Sequence, residues 1–110
     1  EEKVASPKLA KYPTGSIVVI GGDGKLELST RENDPKVFGV TQKGAPQPIV
    51  LGAEPVLVTG NVSVGDFITT STKPGHGRRS MHTMHGTVIA QSMQSGSGDS
   101  YLIEAMIRKM

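Results

Sequence analysis

The chain has 110 residues and nearly balanced charge, with 12 Lys and Arg against 10 Asp and Glu residues and a formal net charge of +2. A net charge this small produces only a weak electrostatic field, and with 4% aromatic residues and no Trp the chain has few side chains that could stack on bases. We therefore expect no nucleic-acid partner. The lack of cysteine excludes disulfides and thiolate metal sites, and no apolar run approaches the roughly 20 residues of a membrane helix, so no membrane partner is expected.

Glycine and proline residues are spread along the whole chain. Fourteen Gly and seven Pro residues separate short apolar runs instead of forming one low-complexity block. This arrangement is typical of short strands joined by turns. It predicts an all-β domain, either a small barrel or a sandwich.

The first 15 residues have no periodicity and contain Pro7 and Pro13. Proline restricts the residue before it to extended geometry. We therefore predict an extended N-terminal arm over residues 1–15 and a β domain over residues 16–110.

The β domain is predicted to begin with strands at residues 16–20 and 25–29, joined by a tight turn at residues 21–24. The turn superficially matches a phosphate-binding loop. However, Leu26 follows Lys25 where such a loop requires Ser or Thr and the start of a helix, so a hairpin turn is favoured. A third strand is predicted at residues 36–41, before an irregular stretch over residues 42–51 that contains Gly44, Pro46 and Pro48.

The most informative stretch contains two apolar runs, residues 55–59 and 67–71, on either side of a turn rich in Gly, Asn and Asp. These residues close turns easily. We predict that the two runs pair as a hairpin. Such a hairpin places no nucleophile, base or metal ligand in a cleft, which indicates a scaffold or coat protein.

A loop is predicted at residues 72–79, where Lys73, His76, Arg78 and Arg79 cluster. These side chains suit either contact with phosphates or an acidic partner, or simple solvation at a loop tip. The following residues, 80–85, fit either a short helix or an edge strand.

The histidines are His76, His82 and His85. A shared metal is one interpretation, but no carboxylate lies near in sequence to complete the set, which favours solvated or interface histidines. Composition alone does not exclude a catalytic Ser-His-Asp site, since serine is plentiful, although the chain has no Gly-x-Ser-x-Gly elbow. We predict no catalysis, no metal and no cofactor.

Two further strands are predicted at residues 87–91 and 101–109, separated by a Ser/Gly loop. In the last strand, alternation places Tyr101, Ile103, Ala105 and Ile107 on one face, and Leu102, Glu104, Met106 and Arg108 on the other. The predicted core comprises Ile17, Val19, Leu26, Leu28, Val37, Val40, Val56, Val58, Phe67, Val88, Ile103 and Ile107.

Turns and apolar strands follow one another in a recognisable order. The motifs are Tyr12 and Gly15, Ile17-Val18-Val19-Ile20-Gly21-Gly22-Asp23, Asn33-Asp34-Pro35-Lys36-Val37-Phe38-Gly39-Val40, Pro55-Val56-Leu57-Val58-Thr59-Gly60, Gly65-Asp66-Phe67-Ile68, Ser71, Pro74-Gly75 and Gly86-Thr87-Val88-Ile89-Ala90. Over about residues 12–110, this order resembles the small β domain of tailed-bacteriophage virion surface proteins. It is similar both to head decoration proteins and to distal domains of fibre or appendage proteins.

The resemblance implies a β-clip or β-tulip fold and a structural role in the virion. The expected function is that of a capsid decoration, or cement, protein that binds the major capsid protein on the outer surface and stabilises the shell as a homotrimer. The alternative is a trimeric tail-fibre or appendage domain for receptor binding or fibre assembly, with a self-cleaving appendage module as a more distant enzymatic variant.

Two sets of residues are predicted to make these contacts. The candidate capsid-binding residues of the arm are Lys3, Val4, Lys8, Leu9, Lys11 and Tyr12. The candidate trimer-interface residues are Met81, His82, Met84 and His85. Mixed Met and His side chains suit a partly wet contact.

Overall fold

The computed structural model describes residues 6–81 and 85–110. Within these residues, the elements are a 3-10 helix (Pro7–Lys11) and the strands β1 (Ile17–Ile20), β2 (Leu26–Leu28), β3 (Val37–Val40), β4 (Leu51–Val58), β5 (Phe67–Thr70), β6 (Gly77–Arg79), β7 (Val88–Ser92) and β8 (Tyr101–Arg108). The prediction of an all-β fold is confirmed.

The first three strands form a small antiparallel sheet in the order β2–β1–β3. A tight turn joins β1 to β2, and in it the Gly21 N–H donates to the Lys25 carbonyl at 2.8 Å. Gly24 has a φ of 81°, the left-handed conformation that glycine adopts without steric cost. The predicted hairpin at this position is therefore confirmed.

The other five strands close into a barrel in the order β4–β6–β5–β7–β8. Its longest ladder pairs β4 with β8 in antiparallel fashion over eight residues, from Leu51 opposite Arg108 to Val58 opposite Tyr101. Among the strands described, β4 and β6 form the parallel pair that completes the ring. Closure protects the strand edges from pairing with other chains.

The hairpin predicted between residues 55–59 and 67–71 is wrong. Both runs are strands, but β6 lies between β4 and β5. The strand β5 instead turns directly into β6 through residues 71–76, where Ser71 donates from its N–H and from its Oγ to the His76 carbonyl, at 3.2 and 2.6 Å. This local turn brings β6 against β5, and the sequence pattern did not reveal it because β6 is short and polar.

Two further regions differ from the prediction. The strand β4 begins at Leu51, inside the stretch expected to be irregular. Residues 77–79, expected to be loop, form β6. Leu51 pairs with Arg108 far along the chain, and β6 is short and polar, so the local pattern carries little signal at either position.

The core joins the two sheets. Its main cluster combines Ile17, Val19, Val37 and Val40 of the small sheet with the inward side chains of the barrel. Ten of the twelve predicted core residues are buried, whereas Leu28 and Phe67 are half-buried. Leu28 instead packs at the margin of a second cluster, built on Leu9, Val18 and Leu26.

Candidate functional site

The N-terminal segment is folded onto the small sheet over its described part. Pro7–Lys11 forms a 3-10 helix instead of the extended arm that was expected. Leu9 is fully buried against Val18 and Leu26, with Tyr12 packed beside them. The Ser6 N–H donates to the Pro46 carbonyl at 2.9 Å.

This packing corrects the expectation that Leu9 inserts into a capsid pocket, because its side chain already fills a pocket of its own domain. Tyr12 is half-buried in the same cluster. Lys8 and Lys11 are exposed and remain able to contact a partner. Lys3 and Val4 lie outside the described residues.

The candidate trimer interface is described only at its two ends. Met81 is 60% exposed, and His85 is exposed. The Arg79 guanidinium donates to the Met81 Sδ at 3.4 Å. His82 and Met84 lie outside the described residues, so the choice between a helix and an edge strand for residues 80–85 stays a prediction.

The basic residues after β5 do not form one cationic cluster. An open groove of about 490 Å³ contains Lys73, Arg78 and Arg79 in its wall, together with the carboxylates Glu32 and Asp99. Lys73 Nζ lies 2.7 Å from Asp99 Oδ2, and Arg78 lies 3.8 Å from Glu32. The hydrogen bond from Lys73 is the main cause that lowers the pKa of the Asp99 carboxyl below its ordinary value. With two of its three cations near acids, this groove is not a strongly basic surface.

His76 is the remaining member of that basic set, and it is buried. Its Nδ1 lies 2.8 Å from the Pro74 carbonyl, and its Nε2 lies 2.7 Å from Ser100 Oγ. Because a carbonyl only accepts, Nδ1 carries a proton, and in the neutral ring Nε2 accepts from Ser100. A serine next to a histidine could act as a nucleophile and its base. However, the Pro74 carbonyl lies at His76 Nδ1, where a catalytic triad has a carboxylate.

In residues 6–81 and 85–110, no three His, Asp or Glu side chains come together in a way that would hold a metal ion. Over the same residues, no helix has the length and apolar character needed to cross a bilayer.

A feature that the sequence analysis did not single out is the outer surface of the barrel. Leu102 and Met106 on β8 are 50% and 42% exposed, and Leu51 on β4 is 66% exposed. The outward face of an antiparallel sheet is normally polar when it meets water. The signal was present in the alternation of β8, whose outward positions carry two large apolar side chains.

The comparisons with known proteins add one structural relationship. No protein-family model matches the chain, and no curated protein matches its sequence. Its structure is similar to that of the N base of the head fiber protein gp8.5 of bacteriophage phi29, with a TM-score of 0.58 and 19% sequence identity. The match covers 88% of this chain and 87% of that chain. The two chains therefore share a fold, which agrees with the resemblance to phage virion surface domains.

Proposed function

We propose that the protein is a structural component of a phage virion, a decoration protein that binds the outer surface of the capsid as a homotrimer. The observation that carries this proposal is the fold shared with the base of a phage head fiber over nearly the whole length of both chains. The closed barrel suits a rigid binding module, as does the groove, in which Lys73 and Arg78 lie close to acidic side chains.

Attachment to the major capsid protein is assigned to the N-terminal segment. Lys8 and Lys11 project from the 3-10 helix, which the buried Leu9 fixes to the domain. A fixed helix presents both ammonium groups without the ordering cost that a free arm would have. Acidic side chains of the capsid are the chemistry that these groups recognise.

A fibre or appendage domain is the second candidate function. The observation that favours it is that the similar structure is itself the base of a head fiber. Both candidates place the protein in the virion, but they differ in how it is distributed there.

Immunogold labelling of purified virions of the phage that encodes the chain distinguishes the two candidates. A decoration protein gives label spread over the head surface. A fibre or appendage domain gives label at the attachment points of the projections. Virions that contain none of the protein by mass spectrometry would rule out both.

Catalysis is tested at the Ser100–His76 contact. A serine activated for catalysis reacts with a fluorophosphonate, whereas a serine that only holds a loop does not. We predict that incubation with a fluorophosphonate leaves Ser100 unmodified in the intact-mass spectrum. Stoichiometric labelling that disappears in the His76→Gln variant would instead support an enzymatic appendage module.

A further inference from the structure

The polar groove lies at the end of the barrel where the chain after β4 diverges from β6. The parallel pairing of these strands places Val58 opposite Gly77, and the Thr59 N–H donates to the Gly77 carbonyl at 2.9 Å. The next residue, Gly60, has a φ of 87° and donates instead to the Gly98 carbonyl at 2.7 Å. Because the chain turns away from β6 here, a space of about 490 Å³ opens beside the end of β6.

The side chains around the groove are polar. Apart from Gly60 and Met81, every residue in its wall carries a hydroxyl, an amide or a charge. The volume falls within the range of about 300–1,000 Å³ that is usual for small-ligand sites, but such sites are lined mainly by apolar side chains. The lining of this groove therefore favours a ligand that is itself rich in hydrogen-bonding groups.

Arg79 is the cation in the groove that is available to a ligand. The ion pairs in the groove use the other two cations, and Arg79 takes part in neither of them. Its guanidinium donates to Met81 Sδ at 3.4 Å, and a thioether sulfur is a weak acceptor. A guanidinium binds a carboxylate through two parallel, charge-assisted hydrogen bonds, so a ligand carboxylate would displace the sulfur. With three cations against two carboxylates in its wall, the groove favours a ligand of net negative charge.

Two neighbouring groups suit the hydroxyls of a sugar. Lys73 contacts Oδ2 of Asp99, whose side chain is 87% exposed, so Oδ1 can accept from a ligand hydroxyl. Asn61 Oδ1 accepts from Ser97 Oγ at 2.6 Å, which directs the amide N–H groups away from that contact. A hydroxyl both donates and accepts, so a sugar can use both kinds of group. The side chains of an acidic peptide only accept, and Asp99 would repel them.

We propose that the groove binds an acidic oligosaccharide, with Arg79 on a carboxylate of one sugar and with Asn61 and Asp99 on hydroxyls beside it. The inference goes beyond the proposed role in the virion. It holds equally for a decoration protein and for a fibre or appendage domain.

NMR titration of the backbone amides measures the binding and locates it. The probes are trigalacturonic acid, a hyaluronan tetrasaccharide and sialyllactose, with maltotriose as the neutral comparison and triglutamate as the acidic peptide. At low salt, at least one acidic oligosaccharide should bind roughly tenfold or more tightly than both comparisons, since it alone makes the charge-assisted contact and the hydroxyl contacts. The amide signals of Asn61, Thr72 and Arg79 should shift. Added salt should weaken the binding, because the groove is open to solvent and its charges are screened.

Arg79→Gln keeps a polar side chain but removes the charge and the guanidinium, so affinity for the acidic oligosaccharide should fall roughly tenfold or more. The matched control is Arg108→Gln. Arg108 is also exposed, and it also donates to the Sδ of the methionine two residues further on, at 3.7 Å. It lies at the opposite end of the β4–β8 ladder from the groove. This control variant should bind as the wild type does.

Asn61→Asp provides a second variant of the same size. It retains an oxygen to accept from Ser97 but replaces the N–H donors with a second carboxylate oxygen, so it should also weaken binding of the acidic oligosaccharide. Melting temperatures equal to that of the wild type verify that all three variants are folded.

The proposal is overturned if none of the acidic oligosaccharides binds. It is equally overturned if maltotriose or triglutamate binds as tightly as they do, because the groove then recognises hydroxyls alone or charge alone. Unchanged affinity in Arg79→Gln would place the binding elsewhere. None of these outcomes touches the proposed role in the virion, which immunogold labelling and mass spectrometry test independently.

Discussion

At the scale of single residues, alternation along β8 separates the side chains that are buried in the core from those that are exposed on the outer surface. Ile103 is 2% exposed, while Met106, three positions further along the same strand, is 42% exposed. The sequence pattern predicted both faces correctly because side chains alternate strictly along a strand. It did not predict how far Leu102 and Met106 on the outward face would be exposed, at 50% and 42%.

Replacement of Ile103 by Ala should lower the free energy of unfolding by about 2–5 kcal/mol, because it removes buried methyl groups and leaves a cavity. The matched control on the same strand is Met106→Ala, which removes exposed surface and should change stability by less than about 0.5 kcal/mol in the monomer. Urea denaturation of both variants measures the difference. Equal effects would show that the two faces are misassigned.

The ion pair of Lys73 and Asp99 leads to a prediction about the pKa of Asp99. The hydrogen bond from Lys73 lowers the pKa of Asp99, so the pair is intact above the ordinary carboxyl pKa and is lost as the pH falls through the lowered value. Lys73→Met should therefore raise the pKa of Asp99, as measured by NMR titration of its carboxyl carbon. The pKa of Asp23, lowered chiefly by a hydrogen bond from the Lys25 backbone N–H, should stay the same in this variant.

At the scale of elements, the barrel depends on β6, a strand of three residues that the sequence pattern did not reveal. It pairs with β5 on one side and with β4 on the other. Gly77 is where β6 approaches the core most closely. A Cβ at this residue would lie 2.5 Å from Ile68 Cγ2 and 2.8 Å from Ile17 Cδ1. The missing side chain is what lets β6 fit between its neighbours.

Gly77→Ala should therefore destabilise the protein by about 1–3 kcal/mol through overpacking of the core. Gly22→Ala is the matched control, since a Cβ at Gly22 meets nothing within 4 Å. Thermal unfolding followed by circular dichroism compares the two variants. If Gly77→Ala melts at the same temperature as Gly22→Ala, β6 does not sit against Ile68 and Ile17 as described.

At the scale of the whole molecule, the small sheet, the barrel and the N-terminal segment are packed together. Val37 and Val40 of β3 share a cluster with the barrel residues, and Leu9 of the 3-10 helix caps the other side of β1. The segment that the prolines suggested to be a separate arm is thus part of the folded unit over its described residues.

Deletion of residues 1–11 should lower the melting temperature, because it uncovers Val18 and Leu26, and the loss of a buried leucine typically costs about 2–5 kcal/mol. The control is the double variant Lys8→Glu, Lys11→Glu, which changes exposed charges and should melt as the wild type does. In the proposed function, this double variant also binds capsids more weakly in co-sedimentation. If the variant that lacks residues 1–11 has the melting temperature of the wild type, these residues form an independent arm.

We could predict from the amino-acid sequence the all-β class, seven of the eight described strands and ten buried core positions, because period-two alternation and Gly or Pro turns are local signals. The sequence did not predict that β6 separates β4 from β5, that Leu9 is buried or that His76 is held by Ser100. These features join residues that are distant in the chain or depend on a short polar strand. Local periodicity carries no information about which strands pair, so these contacts could not be predicted from the pattern of single strands.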